Sequence, residues 1–122
     1  MELTQDPAAH PHLVVSYADD TVRLNTGVFR SSLLVARELL ITDWSPPAPD
    51  ALALDHFAPV LALAPDVLIL GTGTRQRLPP PALYAAFAER DIGLEVMDNA
   101  AACRTYNVLF GEYRSVVLAL ML

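Results

Sequence analysis

The sequence predicts an α/β fold, with β-hairpins in its N-terminal half and a strand-helix-strand-helix-strand alternation in its C-terminal half. Three observations carry this reading. Val67-Leu68-Ile69-Leu70 is an unbroken apolar run that stops at Gly71-Thr72-Gly73-Thr74, and a strand without polar alternation is normally covered on both faces, as in a parallel sheet. Beyond it, two helix-length segments separate two more apolar runs, the pattern of consecutive crossover units. Finally, 53% of the 122 residues are hydrophobic and only 18% charged, enough apolar side chain to offset the entropy of ordering one core. The expected division is an irregular arm over residues 1–12, holding Pro7, His10, Pro11 and His12, followed by a single domain over 13–122.

Taken in order, Leu13 to Tyr17 and Thr21 to Leu24 read as strands of a hairpin whose turn is Ala18-Asp19-Asp20, since acidic residues tolerate tight-turn geometry. Ser31 to Trp44 divides into two strands at the polar pair Arg37-Glu38, although its periodicity also admits a helix. Ser45-Pro46-Pro47-Ala48-Pro49 is a rigid loop. Leu54, Phe57, Ala58, Leu61 and Ala62 then recur at helical spacing until Pro65 ends the helix. After the strand Val67 to Leu70, Pro79-Pro80-Pro81 opens a helix reaching about Arg90, because the first helical turn has no internal N–H partner to lose. Leu94 to Met97 is the next strand, and Asp98 or Asn99 caps a helix from about Ala100 to Phe110. Arg114 to Leu122 is the last strand. If the strands ending at Leu70 and Met97 are parallel neighbours, the loops that follow them meet at one carboxyl edge, where sites collect in such sheets.

Composition removes several function classes. The formal charge is −6, too acidic for a broad phosphate-neutralising surface, so nucleic acid is not expected as a partner. All eight basic residues are arginine; without lysine there is no Schiff base, no phosphate-loop lysine and no Ser-x-x-Lys pair. The single Cys103 excludes an internal disulfide and every Cys-x-x-Cys motif. No apolar run is long enough to span a bilayer, and the acidic start resembles neither a secretory nor a transit peptide, so a soluble cytoplasmic protein is expected. His10 and His12 are too few for a metal site. No pair of carboxylates has a spacing that demands convergence. No catalytic residues and no cofactor motif are legible.

Two segments remain as candidate binding residues. Gly71, Thr72 and Gly73 place glycines and a hydroxyl behind a buried strand, which suits anion contact but equally suits a strand exit needing positive φ. The run Asp98-Asn99-Ala100-Ala101-Ala102-Cys103-Arg104-Thr105-Tyr106-Asn107 is the most informative. Small residues in the first helical turn permit close approach of a backbone or ligand, and Cys103 beside Arg104 near the helix start has features that favour a thiolate. Against that, Cys103, Tyr106, Asn107 and Phe110 share one face at about 100° per residue, the pattern of a core stripe with one buried amide. Asn107 then needs a partner for that amide, expected in the neighbouring loop. Asp55-His56 reads as a helix start, and Trp44 and Tyr17 as packing residues with partner contact as the alternative.

Pro65-Asp66-Val67-Leu68-Ile69-Leu70-Gly71-Thr72-Gly73, Gly93-Leu94-Glu95-Val96-Met97-Asp98 and Ala101-Ala102-Cys103-Arg104-Thr105-Tyr106-Asn107-Val108-Leu109 together resemble the family of the mitochondrial complex I assembly factor 3 and its uncharacterised prokaryotic relatives. The resemblance covers roughly residues 13–122 and is strongest from Pro65 onward. It implies a compact three-layer fold with a mixed central sheet, and for mitochondrial members a non-enzymatic role in assembling the respiratory NADH dehydrogenase. The chain departs from the pattern at Tyr113, where a small residue is expected, and in lacking a mitochondrial presequence, which points to a bacterial protein. The expected function is a non-catalytic, assembly-factor-like protein that presents Gly71 to Arg77 and Asp98 to Arg104 to a protein partner. The alternative is a small-molecule or anion-binding protein, or an enzyme using Cys103 and Arg104.

Overall fold

A computed structural model describes residues 12–112 and 114–122. Its elements are strands β1 (Val14–Ala18), β2 (Thr21–Leu24), β3 (Gly27–Phe29), β4 (Leu33–Ala36), β5 (Leu39–Ile41), β6 (Val67–Gly71), β7 (Gly93–Met97) and β8 (Val116–Leu120), with helices α1 (Ala58–Leu63), α2 (Pro81–Ala88) and α3 (Asn99–Gly111). β1, β2 and β3 form an antiparallel sheet, while a second sheet has the order β5-β4-β8-β6-β7. In the second, β6 runs parallel to both β7 and β8, and β4 is antiparallel to β8 and β5. The mixed sheet expected from the family resemblance is therefore present.

The apolar runs explain why this sheet lies in the middle. With side chains alternating across a strand, Val67 and Ile69 of β6 and Val116, Leu118 and Leu120 of β8 enter one core, together with Ala102, Cys103, Tyr106 and Phe110 of α3 and Val22 and Leu24 of β2. Leu68 and Leu70, with Val117 and Ala119, enter the opposite core against Phe57, Val60, Leu83 and Phe87. The two cores make three layers: the small sheet with α3, the five-stranded sheet, and the α1/α2 side. From β6 the chain moves outward to β7, and from β7 it returns across β6 to β8. Right-handed crossovers in opposite directions need their helices on opposite faces, and α2 and α3 are so placed.

The turn of the β1–β2 hairpin takes Asp19 and Asp20 into the left-handed region, at φ 51° and 55°, the geometry of a two-residue hairpin turn. Tyr17 Oη donates to Asp20 Oδ1 across it at 3.1 Å. Three local expectations are revised. The helix expected over residues 54–64 starts as a 3₁₀ turn at Leu54–Phe57 and becomes α-helical only at Ala58, because Pro59 has no N–H with which to join the preceding turn to a continuous α-helix. The proline loop leads into a 3₁₀ turn at Pro49–Ala51 that begins on its last proline, and β3 adds a third strand to the first hairpin. Of the arm expected over residues 1–12, all but His12 lies outside the described residues, as does Tyr113. His12 itself is tied down: its N–H donates to the Arg37 carbonyl at 3.2 Å, and its carbonyl accepts from Tyr106 Oη at 2.7 Å.

Candidate functional site

The loops after β6 and β7 meet at the carboxyl edge of the sheet, and Asn99 joins them. Its side chain is fully buried. Its Oδ1 accepts from the Gly73 N–H at 3.0 Å, while Nδ2 donates to the Met121 carbonyl at 3.1 Å and to Tyr17 Oη at 3.2 Å. The Asn99 backbone N–H returns a bond to the Gly73 carbonyl at 2.8 Å. One amide thus ties together the β6 exit, the start of α3, the chain after β8 and the end of β1. All its donors and one acceptor position are used, as a buried amide requires.

The two glycines have separate jobs. Gly73 sits at φ 108°, where a side chain is strained. Gly71 instead makes room: a Cβ there would collide with Asn99 Oδ1, lie 2.8 Å from Leu120 Cδ2 and lie 3.1 Å from Ala102 Cβ. Small residues on both elements let α3 start directly against β6. The hydroxyl of Thr72, itself buried, accepts from the Arg77 N–H at 2.9 Å and donates to the Arg75 carbonyl at 2.9 Å. It thereby shapes the loop to Arg77. Gln76 Nε2 fastens that loop to the Val96 carbonyl at 2.8 Å. Asp98, rather than Asn99, is the helix cap, its Oδ1 accepting from the Ala101 N–H at 2.8 Å. Arg75, Arg77, Leu78 and Arg104 remain exposed.

Along α3, Cys103 is buried and burial pushes its thiol up to about 12, with Arg104 pulling the other way. Helix start and arginine are outweighed by desolvation, so the thiol stays protonated at neutral pH. Tyr106 is fully buried, and burial raises its phenol while Arg37 opposes the shift. Asn107 finds its partner on a strand and not a loop: Nδ2 donates to the Val14 carbonyl at 2.7 Å and Oδ1 accepts from the Val14 N–H at 3.1 Å. The side chain thus acts as a one-residue strand along β1. Beside it a cavity of about 170 Å³ lies between β1 and α3, lined among others by Tyr17, Ala100, Cys103, Arg104 and Asn107. Among the described residues no three His, Cys, Asp or Glu side chains are grouped to hold a metal ion.

The candidate residues therefore fall into three sets. Gly71, Thr72, Gly73, Asp98 and Asn99 come together at the rim; Cys103, Arg104 and Asn107 border the β1 cavity; Tyr106 points away, toward His12. Sequence reasoning missed Tyr17 as a member of the Asn99 junction, and no signal links residues 82 positions apart. It also missed a second cavity, of about 370 Å³, at the opposite end of the sheet between Arg37, Glu38, Leu63 and Arg114.

A family model described as a protein of unknown function (DUF498/DUF598) matches residues 14–121. The crystal structure of a Bordetella parapertussis protein is similar at 34% identity and TM-score 0.84, covering 94% of this chain and 98% of that one. The NMR structure of a Xanthomonas campestris protein is similar at 38% identity and TM-score 0.85, covering 99% and 92%. Among curated proteins, the 13 kDa major membrane protein of Francisella tularensis subsp. holarctica is 26% identical over 95% of each chain. The NADH dehydrogenase [ubiquinone] 1 alpha subcomplex assembly factor 3 of Xenopus tropicalis is 32% identical over 59% of this chain and 38% of its own length. Among the described residues no helix is long and apolar enough to cross a membrane. With the fold and a family match from β1 to the end of β8 in hand, the chain belongs to the DUF498/DUF598 family of proteins of unknown function, as the resemblance read from its sequence implied.

Proposed function

We propose that this chain is a non-catalytic binding protein, assembly-factor-like, that presents its carboxyl-edge rim to a protein partner. One observation carries the reading: the polar side chains inside the rim are committed to holding its loops, while Arg75, Arg77, Leu78 and Arg104 project outward. A preorganised loop surface with exposed arginines and a large apolar side chain is the composition of an interaction patch. Two arginines on the loop after β6 and a third on α3, in a chain with net charge −6, favour a partner whose facing surface is acidic. The Xenopus relative's name makes a subunit of an NADH dehydrogenase the first partner to test. A cytoplasmic location belongs to the same proposal and is checked by cell fractionation. Nucleophilic use of Cys103 is opposed by its burial and raised pKa.

The test places a photo-crosslinking residue at Leu78, with Val28 on the small sheet as the control position. Candidates captured only from Leu78 are purified and their affinity measured. Charge reversal of Arg75 and Arg77 is expected to weaken binding by at least tenfold, with the midpoint of thermal unfolding unchanged. A partner bound equally by the reversed variant, or crosslinked equally from Val28, removes the rim from the account.

A further inference from the structure

We propose that the cavity at the amino end of the five-stranded sheet binds a medium-chain aliphatic carboxylate, at a site separate from the rim and independent of its partner. The cavity holds about 370 Å³, within the usual range for small-molecule sites and enough for roughly a dozen water-sized groups. Its wall is formed by the β4–β5 turn, the last residue of α1, the end of α3 and the start of β8. Phe110 and Val117 are buried beneath it, whereas Leu63 is 47% exposed at its edge. A leucine so placed offers an acyl chain apolar surface that the fold leaves wet.

The charges at this cavity select the headgroup. Arg37 lies over the Phe110 ring at 3.8 Å, and its Nη2 donates to the Phe110 carbonyl at 3.1 Å. It therefore meets the partial negative charge of the last turn of α3. Arg114 supplies the second guanidinium. Its backbone N–H is anchored to the Leu109 carbonyl at 3.2 Å, and among the described residues no hydrogen bond or ion pair engages its side chain. Among the described residues of the lining, Glu38 is the one carboxylate. A planar carboxylate matches the guanidinium fork in two parallel hydrogen bonds, and its chain then runs over Leu39, Leu63 and Val117. A cation would face the like charge of Arg114. An uncharged alcohol would gain the apolar contact alone.

The experiment titrates the isotopically labelled full chain with octanoate, octanol and octylamine, all below micelle-forming concentrations, and follows backbone amide shifts. Octanoate is expected to give saturable shifts at Leu39, Leu63 and Val117, with affinity about three- to tenfold above that of octanol and octylamine weakest. Arg114→Gln should abolish the preference for octanoate and leave octanol unchanged; Glu38→Gln should tighten octanoate and no other ligand as much. Both positions are exposed, so an unchanged amide spectrum outside the cavity verifies the fold of each variant. The proposal is overturned by the absence of saturable shifts, by shifts centred on the rim, by equal affinities for octanoate and octanol, or by a preference that survives Arg114→Gln. Binding of a rim partner is expected to be unaffected by either substitution, so failure here leaves the rim reading standing and the converse also holds.

Discussion

The two ends of the five-stranded sheet are built on opposite terms. At the carboxyl end, Gly71, Asn99 and Ala102 are packed until a single added carbon has no place, and the central amide is bonded to three separate segments. At the amino end, charged side chains border a cavity over a buried apolar floor. The comparison teaches that the residues most conspicuous in the sequence are those that hold the rim in shape. The side chains left exposed are the less conspicuous arginines and leucines around them.

Breaking the closed end should have the largest effect. Asn99→Ala leaves the Gly73 N–H and the Met121 carbonyl without their side-chain partner in a buried setting and removes the link to Tyr17, and is expected to cost about 3–5 kcal/mol, read as a lowered urea midpoint. Gly71→Ala pushes a Cβ into Asn99 and Leu120, an overpacking expected to cost about 2–3 kcal/mol. Because the Gly71 clash is largely with Asn99 itself, the double variant should be less destabilised than the sum of the singles by at least about 1 kcal/mol. Strict additivity would mean that the two residues do not share one tight contact.

The fold was legible wherever a single local rule decided it. An unbroken apolar run made β6 a covered strand, two aspartates made the β1–β2 turn, and the pair Asp98-Asn99 announced the start of α3. Where rules competed, the reading slipped: Pro59 sits inside an apolar helical period yet divides it into a 3₁₀ turn and a helix. The three-residue β3 is too short for alternation to register. The site was less legible, because its geometry is made by distant pairs. Asn99 with Tyr17 and Asn107 with Val14 are joined across 82 and 93 positions, and no periodicity encodes such a meeting. The amino-end cavity draws its lining from β4–β5, α1, α3 and β8, none of which looks unusual alone.

Cys103 offers an intermediate probe, since it lies under the β1 cavity but belongs energetically to the closed core. At pH 8 a thiol reagent should label it only at the rate at which the protein opens; rapid labelling would show that the cavity reaches the sulfur. Its pKa is raised from 9.0 to about 12 in the folded chain, so above pH 9 the unfolded chain loses the proton first. Stability must then fall as pH rises from 9 toward 12. Tyr106 contributes loss of the same sign, its phenol being raised by burial. Comparing wild type with Cys103→Ala isolates the thiol: the variant is expected to lose about 1 kcal/mol at neutral pH and to show a shallower alkaline decline. Equal slopes would place the sulfur in water.

The smallest expected effect falls on the exposed arginines at the rim and on the neighbouring face of α3. Arg75, Arg77 and Arg104 are exposed, and their side chains carry none of the bonds that shape the loops, which run through Thr72, Gln76 and Asn99. Replacing each with alanine should therefore shift stability by less than about 0.5 kcal/mol. Under the proposed function, holding the loops and meeting a partner are then assigned to different side chains. If instead any one substitution costs as much as Gly71→Ala, that arginine belongs to the scaffold, and the division between a fixed inner shell and an available outer one fails at that residue.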